Sequence, residues 1–169
     1  MLIYLSSNIY KQSVSNNSFD FNQIQNNSVL CAKIAKKLSA DMPGMNSEDI
    51  YTSALLHDMG KIFFAQFDWD NYSQVYKCKN LTDSEYLKKE EDICGLNHCE
   101  IANMIAYSWN MPEIISEIAT YHHKPEQSLK YSRECALIKL ADMIVQNKYS
   151  NEKLNIDKKL IDVLEILNI

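Results

Sequence analysis

The chain has 169 residues, 46% of them hydrophobic and 23% charged, with a formal net charge of −5. This is ordinary for a globular protein large enough to bury a core, and a single domain over residues 1–169 is expected. The acidic balance argues against a general nucleic-acid binder and against adsorption to anionic lipid, since both need a basic face.

No apolar run approaches the ~20 residues that cross a bilayer. The apolar start, Met1 to Leu5, is too short and lacks the basic flank of a signal peptide. Cys31, Cys78, Cys94, Cys99 and Cys135 are odd in number and form no CxxC pair. They read as reduced, mostly buried thiols of a cytoplasmic protein. Three glycines and three prolines are few, which favours long helices over tight turns.

Residues 1–14 are compatible with a helix, and 13–22, rich in Ser and Asn, with a loop. From Gln23, Ile24, Val29, Ala32, Ile34, Ala35 and Leu38 recur at helical spacing until Pro43-Gly44. Asn46 or Ser47 can cap the next helix, with Glu48 and Asp49 in its first turn; it ends at His57-Asp58, and Gly60 is placed to let the backbone leave. Residues 62–67 are apolar, and 68–80 are polar with interspersed aromatics. Thr82 to Glu85 fits a capping box that opens a helix towards Cys94, broken by Gly95. His98 starts another helix, with Ile101, Ala102, Ile105 and Trp109 facing inward. Asn110-Met111-Pro112 stops and restarts the chain; the next helix runs to His122-His123 and is closed by Lys124-Pro125. Helices from about Ser132 to Lys148 and from Asp157 to Leu167 follow. With no strand-period run of useful length, the expected class is all-α.

The chemistry gathers on a few residues. The run Ala54-Leu55-Leu56-His57-Asp58-Met59-Gly60-Lys61 ends an apolar stretch in a His-Asp doublet. The remaining histidines are His98, His122 and His123, and Asp142 follows on an apolar helical stripe. Imidazole and carboxylate are ligands for zinc, manganese and iron. Asp58, His98 and His122-His123 each sit at a helix terminus, so converging helix ends can aim several of them at one ion. Singly, a histidine at a helix end serves as a cap or dipole partner, and an acid such as Asp142 as a satisfied buried group. Lys33, Lys36 and Lys37 read as a solvated helix face, or with Lys61 as the lining of an anion site. The 88–92 stretch reads as an exposed, mixed-charge helix. Trp109, Tyr121, Tyr72 and Tyr76 read as packing aromatics.

Leu-Leu-His57-Asp58-Met-Gly-Lys61, then His98, His122-His123 and Ala141-Asp142, together resemble the HD superfamily of metal-dependent phosphohydrolases. Within it, Glu90, Gly95-Leu-Asn-His98, Ile101-Ala102, Trp109-Asn-Met-Pro112 and Tyr121-His-His-Lys-Pro125 resemble the HDOD branch, the HD-related output domain. The resemblance covers residues 22–145. It implies an HD-domain-like helical bundle and a regulatory or scaffolding role in bacterial signalling, reached through a signalling protein partner or a small nucleotide-like ligand. It also implies a further helical portion upstream, which this chain begins too late to contain in full.

The resemblance further implies a ligand set of His57, Asp58, His98, His122, His123 and Asp142 for one or two divalent ions (Fe, Mn or Zn). The HD-GYP relatives, which hydrolyse cyclic di-GMP, carry a further histidine where this chain has Asn27 before Ser28. Their first metal would here keep His57, Asp58 and Asp142 but lose one imidazole, and an amide oxygen is a weaker ligand. Their second would have Asp58 as bridge with His98 and the histidine pair. Lys61 matches a lysine that faces substrate phosphate or bridging solvent. The Gly-Tyr-Pro signature is replaced by Lys124-Pro125-Glu126-Gln127. Two functions follow as expectations: a regulatory domain with a partial metal site, or a phosphohydrolase of nucleotides or cyclic dinucleotides with Asp58 and Lys61 in the catalytic roles. A nucleotide sensor without chemistry, and a metal-free polar network that pins helix ends, are the further readings.

Overall fold

In the computed structural model, residues 19–78, 81–150 and 158–168 are described. The expected helix over 1–14 and the loop residues before Phe19 lie outside them. Among the described residues there is no strand. The described residues hold nine α-helices in order: α1 Phe21–Ser39, α2 Ser47–Leu56, α3 Met59–Phe67, α4 Trp69–Tyr76, α5 Asp83–Cys94, α6 His98–Ser108, α7 Glu113–Tyr121, α8 Ser132–Ser150 and α9 Lys158–Leu167. A 3₁₀ turn, Pro125–Gln127, lies between α7 and α8.

Local chemistry sets most of the boundaries. The Asp20 side chain accepts from Gln23 N, so α1 begins at Phe21, two residues before the apolar period becomes visible. Asn46 caps α2, with Glu48 and Asp49 in the first turn. Full capping boxes open α5 (Thr82 with Glu85) and α6 (Asn97 with Glu100). Gly95 ends α5 at φ +83°, a left-handed conformation suited to glycine. Pro112 precedes α7, where its missing N–H costs nothing.

Two apolar clusters form the interior. The larger joins α1, α2, α7, α8 and α9 through Cys31, Ala35, Ile50, Ala54, Ile118, Leu137, Ile138, Val145 and Val163. The smaller joins α3, α4 and α6 through Phe64, Tyr72, Val75 and Ile101, sealed by Phe19. His57 and His122 close helices of the first cluster; Asp58 and His98 open helices of the second. The seam between the two cores is therefore where the polar residues gather.

Three expectations change. Gly60 does not release the chain: it lies in the first turn of α3, against the backbone of His98. The polar stretch after Phe67, to which the sequence assigns no element, is helical over Trp69–Tyr76, where Tyr72 and Val75 supply an apolar face. Trp109 is 64% exposed, since α6 ends at Ser108 before bringing it inward. In the 88–92 segment, Lys88 pairs with Asp92 at the surface, but Glu90 is fully buried. No helix among the described residues is long and apolar enough to cross a membrane.

Candidate metal centre

Five of the sequence-derived residues meet at the seam. Asp58 Oδ2 lies 3.5 Å from His57 Nε2, and Asp58 Oδ1 lies 3.5 Å from His98 Nε2 and 3.7 Å from His122 Nε2. His98 Nε2 is 3.2 Å from His123 Nε2. Asp58 holds the N-cap position of α3 without making a side-chain cap bond. Its carboxylate turns instead to Lys61, whose Nζ donates to Oδ2 at 2.8 Å.

The four imidazoles share one hydrogen-bonding pattern. His57 Nδ1–H donates to the Ala54 carbonyl at 2.7 Å, and His122 Nδ1–H to the carbonyls of Ile118 and Ala119. His98 Nδ1–H donates to Glu90 Oε2 at 2.6 Å, and His123 Nδ1 faces Asp83 Oδ2 at 3.3 Å. Carbonyl and carboxylate oxygens only accept here, so each ring offers its proton outward from Nδ1 and turns Nε2 to the interior. Such outer partners hold metal-ligating histidines in one tautomer.

Nε2 of His57, Nε2 of His122, Oδ1 of Asp58 and Oδ1 of Asn27 are buried side-chain atoms without a hydrogen-bond partner among the described residues. Each costs about 1–3 kcal/mol if left so. A cation removes that cost, because all four are electron-pair donors. Two donors on one ion at ~2.0–2.2 Å stand roughly 3.0–3.5 Å apart, which matches the Asp58–His98 and His98–His123 separations. The cluster is compatible with a divalent metal site.

The electrostatics agree. Burial opposes ionisation of Asp58, yet Lys61 and the surrounding imidazoles outweigh it and hold the carboxyl well below its ordinary value. Burial, then His123 and His57, push His122 well down. Burial also lowers His123, against the pull of Asp83. Burial lowers His98 too, but Cys99 and Glu90 prevail over it and over Lys61, raising it to about 10. Lys61, penalised by burial, is raised by Asp58.

Asp142 stands apart from the tight groups. It lines the same pocket, but its Oδ2 accepts from Gln146 Nε2 at 2.5 Å. The pocket, about 410 Å³, is lined by the polar residues Asn27, Asp58, Lys61, His123 and Asp142 together with Ile24, Leu81 and the rings of Tyr72, Tyr76 and Tyr86. Lys61 is its one lysine among the described residues; Lys36 instead pairs with Glu48. Sequence reading passed over Glu90 and Asp83 as partners of the histidines. Glu90 was already within the family pattern, eight residues before His98, and that spacing was the available signal.

Comparison with known proteins assigns the class. The HDOD domain profile matches residues 1–125. The chain belongs to the HDOD family. Among solved structures, an HDOD domain protein from Geobacter sulfurreducens superposes with TM-score 0.70 at 24% identity, over 89% of this chain and 54% of that one. The MmoQ response regulator from Methylococcus capsulatus gives 0.69 at 16%, over 90% and 59%. The HD domain of the Listeria monocytogenes phosphodiesterase PgpH, in complex with cyclic-di-AMP, gives 0.53 at 19%, over 87% and 76%. At these identities the likeness establishes the fold. The chain spans a little over half the length of the first two. No curated protein matches it.

Proposed function

We propose that this chain is a regulatory HDOD-type domain of bacterial signalling that holds one divalent ion at a partial HD centre and senses a protein or a small nucleotide-like ligand at the adjoining pocket. The observation that carries this reading is an asymmetry. On one side, Asp58, His98, His122 and His123 offer converging donors at metal-ligand separations. On the other, Asn27 supplies an amide oxygen and Asp142 is engaged by Gln146. A bound divalent ion would supply Lewis acidity towards water or a phosphate oxygen. The residues of the chain do the rest: Lys61 neutralises Asp58 and presents positive charge to the pocket, and Glu90 and Asp83 fix the His98 and His123 rings.

Elemental analysis of protein purified without chelator tests this. One equivalent of iron, manganese or zinc is expected, lost in Asp58→Ala and His122→Ala, with no turnover of phosphodiesters or nucleotides. Two equivalents together with turnover would reverse the reading.

Lys61 favours a second reading, a metal-dependent phosphohydrolase, because its ammonium lies on the pocket wall where a phosphate would need it. Asn27→His restores the missing imidazole. Hydrolysis that appears only in that variant identifies a disabled hydrolase; hydrolysis by the unmodified chain makes the second reading the correct one.

A further inference from the structure

The donor cluster contains an atom that the histidine-and-carboxylate description omits. Cys99 follows His98 in the first turn of α6 and is buried. Its Sγ lies 3.5 Å from His98 Nε2. Sγ of Cys99 and one ring nitrogen each of His98, His122 and His123 all lie within 4.8 Å of one another. The surroundings of the sulfur are not those of an inert core thiol. His122 Nε2, in a side chain 1% exposed, has no hydrogen-bond partner among the described residues. The Nε2 atoms of His98 and His123 face each other at 3.2 Å while both Nδ1 atoms face carboxylates. Two ring nitrogens facing each other with a sulfur beside them can be bridged by one shared proton or by one shared cation, and the unpartnered His122 Nε2 on the same cluster favours the cation.

The distances suit a tetrahedral ion. With metal–nitrogen bonds of ~2.0–2.1 Å and a metal–sulfur bond of ~2.3 Å, tetrahedral geometry separates two nitrogens by roughly 3.4 Å and a nitrogen from a sulfur by roughly 3.5 Å. The observed His98–His123 and His98–Cys99 separations are 3.2 and 3.5 Å.

We propose that Cys99 is a metal ligand, completing with His98, His122 and His123 a three-nitrogen, one-sulfur site that selects zinc over harder cations such as manganese. The inference rests on the reading above that the seam holds a divalent ion, and adds which atoms hold it. As the sulfur–metal bond forms, the Cys99 S–H proton passes to solvent and the sulfur binds as thiolate. Thiolate is a soft donor, so its presence shifts preference towards zinc and cobalt and away from manganese and magnesium. Asp58 Oδ1, 3.5 Å from His98 Nε2 and 3.7 Å from His122 Nε2, borders the same donors where they meet the pocket, so its loss would weaken the site as well.

Cobalt(II) titrated into the full chain is the test, because a cobalt–thiolate bond absorbs strongly in the near ultraviolet and cobalt–imidazole bonds do not. The expected result is a sulfur-to-cobalt band that saturates at one equivalent and is absent from Cys99→Ala and Cys99→Ser. Those variants keep the visible ligand-field bands of histidine-bound cobalt, and bind zinc on the order of tenfold or more weaker with manganese binding little changed. Cobalt bound stoichiometrically without the near-ultraviolet band overturns the inference and leaves the single-ion reading intact. So does a band that persists in both Cys99 variants, which assigns the thiolate to another cysteine. No cobalt bound at all overturns both. The spectrum of the unmodified chain decides without relying on any variant to fold.

Discussion

Gly60 lies in direct contact with the backbone of His98: a Cβ added at Gly60 would come 2.0 Å from the His98 carbonyl oxygen and 2.8 Å from its carbon. Helices α3 and α6 touch here at their amino-terminal turns, two residues after Asp58 and at His98 itself. The approach brings the carboxylate within 3.5 Å of the imidazole. Gly60→Ala must separate the two helices because backbone cannot give way as a flexible side chain can. A loss of about 3 kcal/mol, the upper end of ordinary overpacking, is expected in denaturant melts, together with weakened metal binding. Metal affinity unchanged in a destabilised Gly60→Ala protein would show that the contact serves packing alone.

Glu90 is the second positional dependence. Its Oε2 accepts from both the backbone N–H and Nδ1–H of His98, at 2.9 and 2.6 Å, inside a fully buried setting. Glu90→Ala orphans both donors and is expected to cost about 2–4 kcal/mol. Glu90→Gln can keep an acceptor there and should cost less. Metal affinity is expected to fall roughly 10–100-fold in the alanine variant, as for other outer partners of ligating histidines. Nitrogen-15 NMR of the His98 ring provides a readout separate from folding: protonated Nδ1 in the unmodified chain, and mixed tautomers in Glu90→Ala.

The metal-free protein is expected to be most stable near pH ~6.5, the ordinary histidine value. His122 and His123 are lowered in the folded state. Their contribution is therefore complete above ~6.5 and is lost as pH falls and the unfolded chain takes up protons the folded one refuses. His98 is raised to about 10. Its contribution is complete below ~6.5 and is lost as pH climbs towards about 10. Asp58, lowered, adds a further loss only below pH ~4. Thermal melts across pH 4 to 10 with chelator present check this; a monotonic rise through pH 9 would contradict the assigned protonation of His98.

Metal should stabilise by mass action. A divalent ion at 100 times its Kd adds about 2.7 kcal/mol, and chelator should reverse the gain. His122→Ala is expected to abolish the ion-dependent rise in Tm. It should cost the metal-free protein less than a typical large-to-small change, because the removed Nε2 was itself an unpaired buried atom. A gain in Tm that survives both His122→Ala and Asp58→Ala would place the ion elsewhere.

Much was legible in the order of residues. Helix starts at Ser47, Asp83 and Glu113 follow from Asn46, from the Thr82–Glu85 pair and from Pro112, because capping is local chemistry between residues two or three apart. The histidines and Asp58 could be singled out because few side chains bind metal and each falls at a helix end. What the order of residues did not carry was which groups face one another over long separations. Glu90 reads as part of a charged surface run until α6 folds back and places His98 on it, eight positions away and wholly out of water. Cys99 reads as one more buried thiol until the end of α7 brings His122 and His123 to it. Asp142 reads as one of a set, and its place on the pocket wall with Gln146, one helical turn on, donating to its carboxylate is visible only in the fold. Local propensity specifies the helices one at a time; only the packing of two cores against a common seam decides which lone pairs share a point in space.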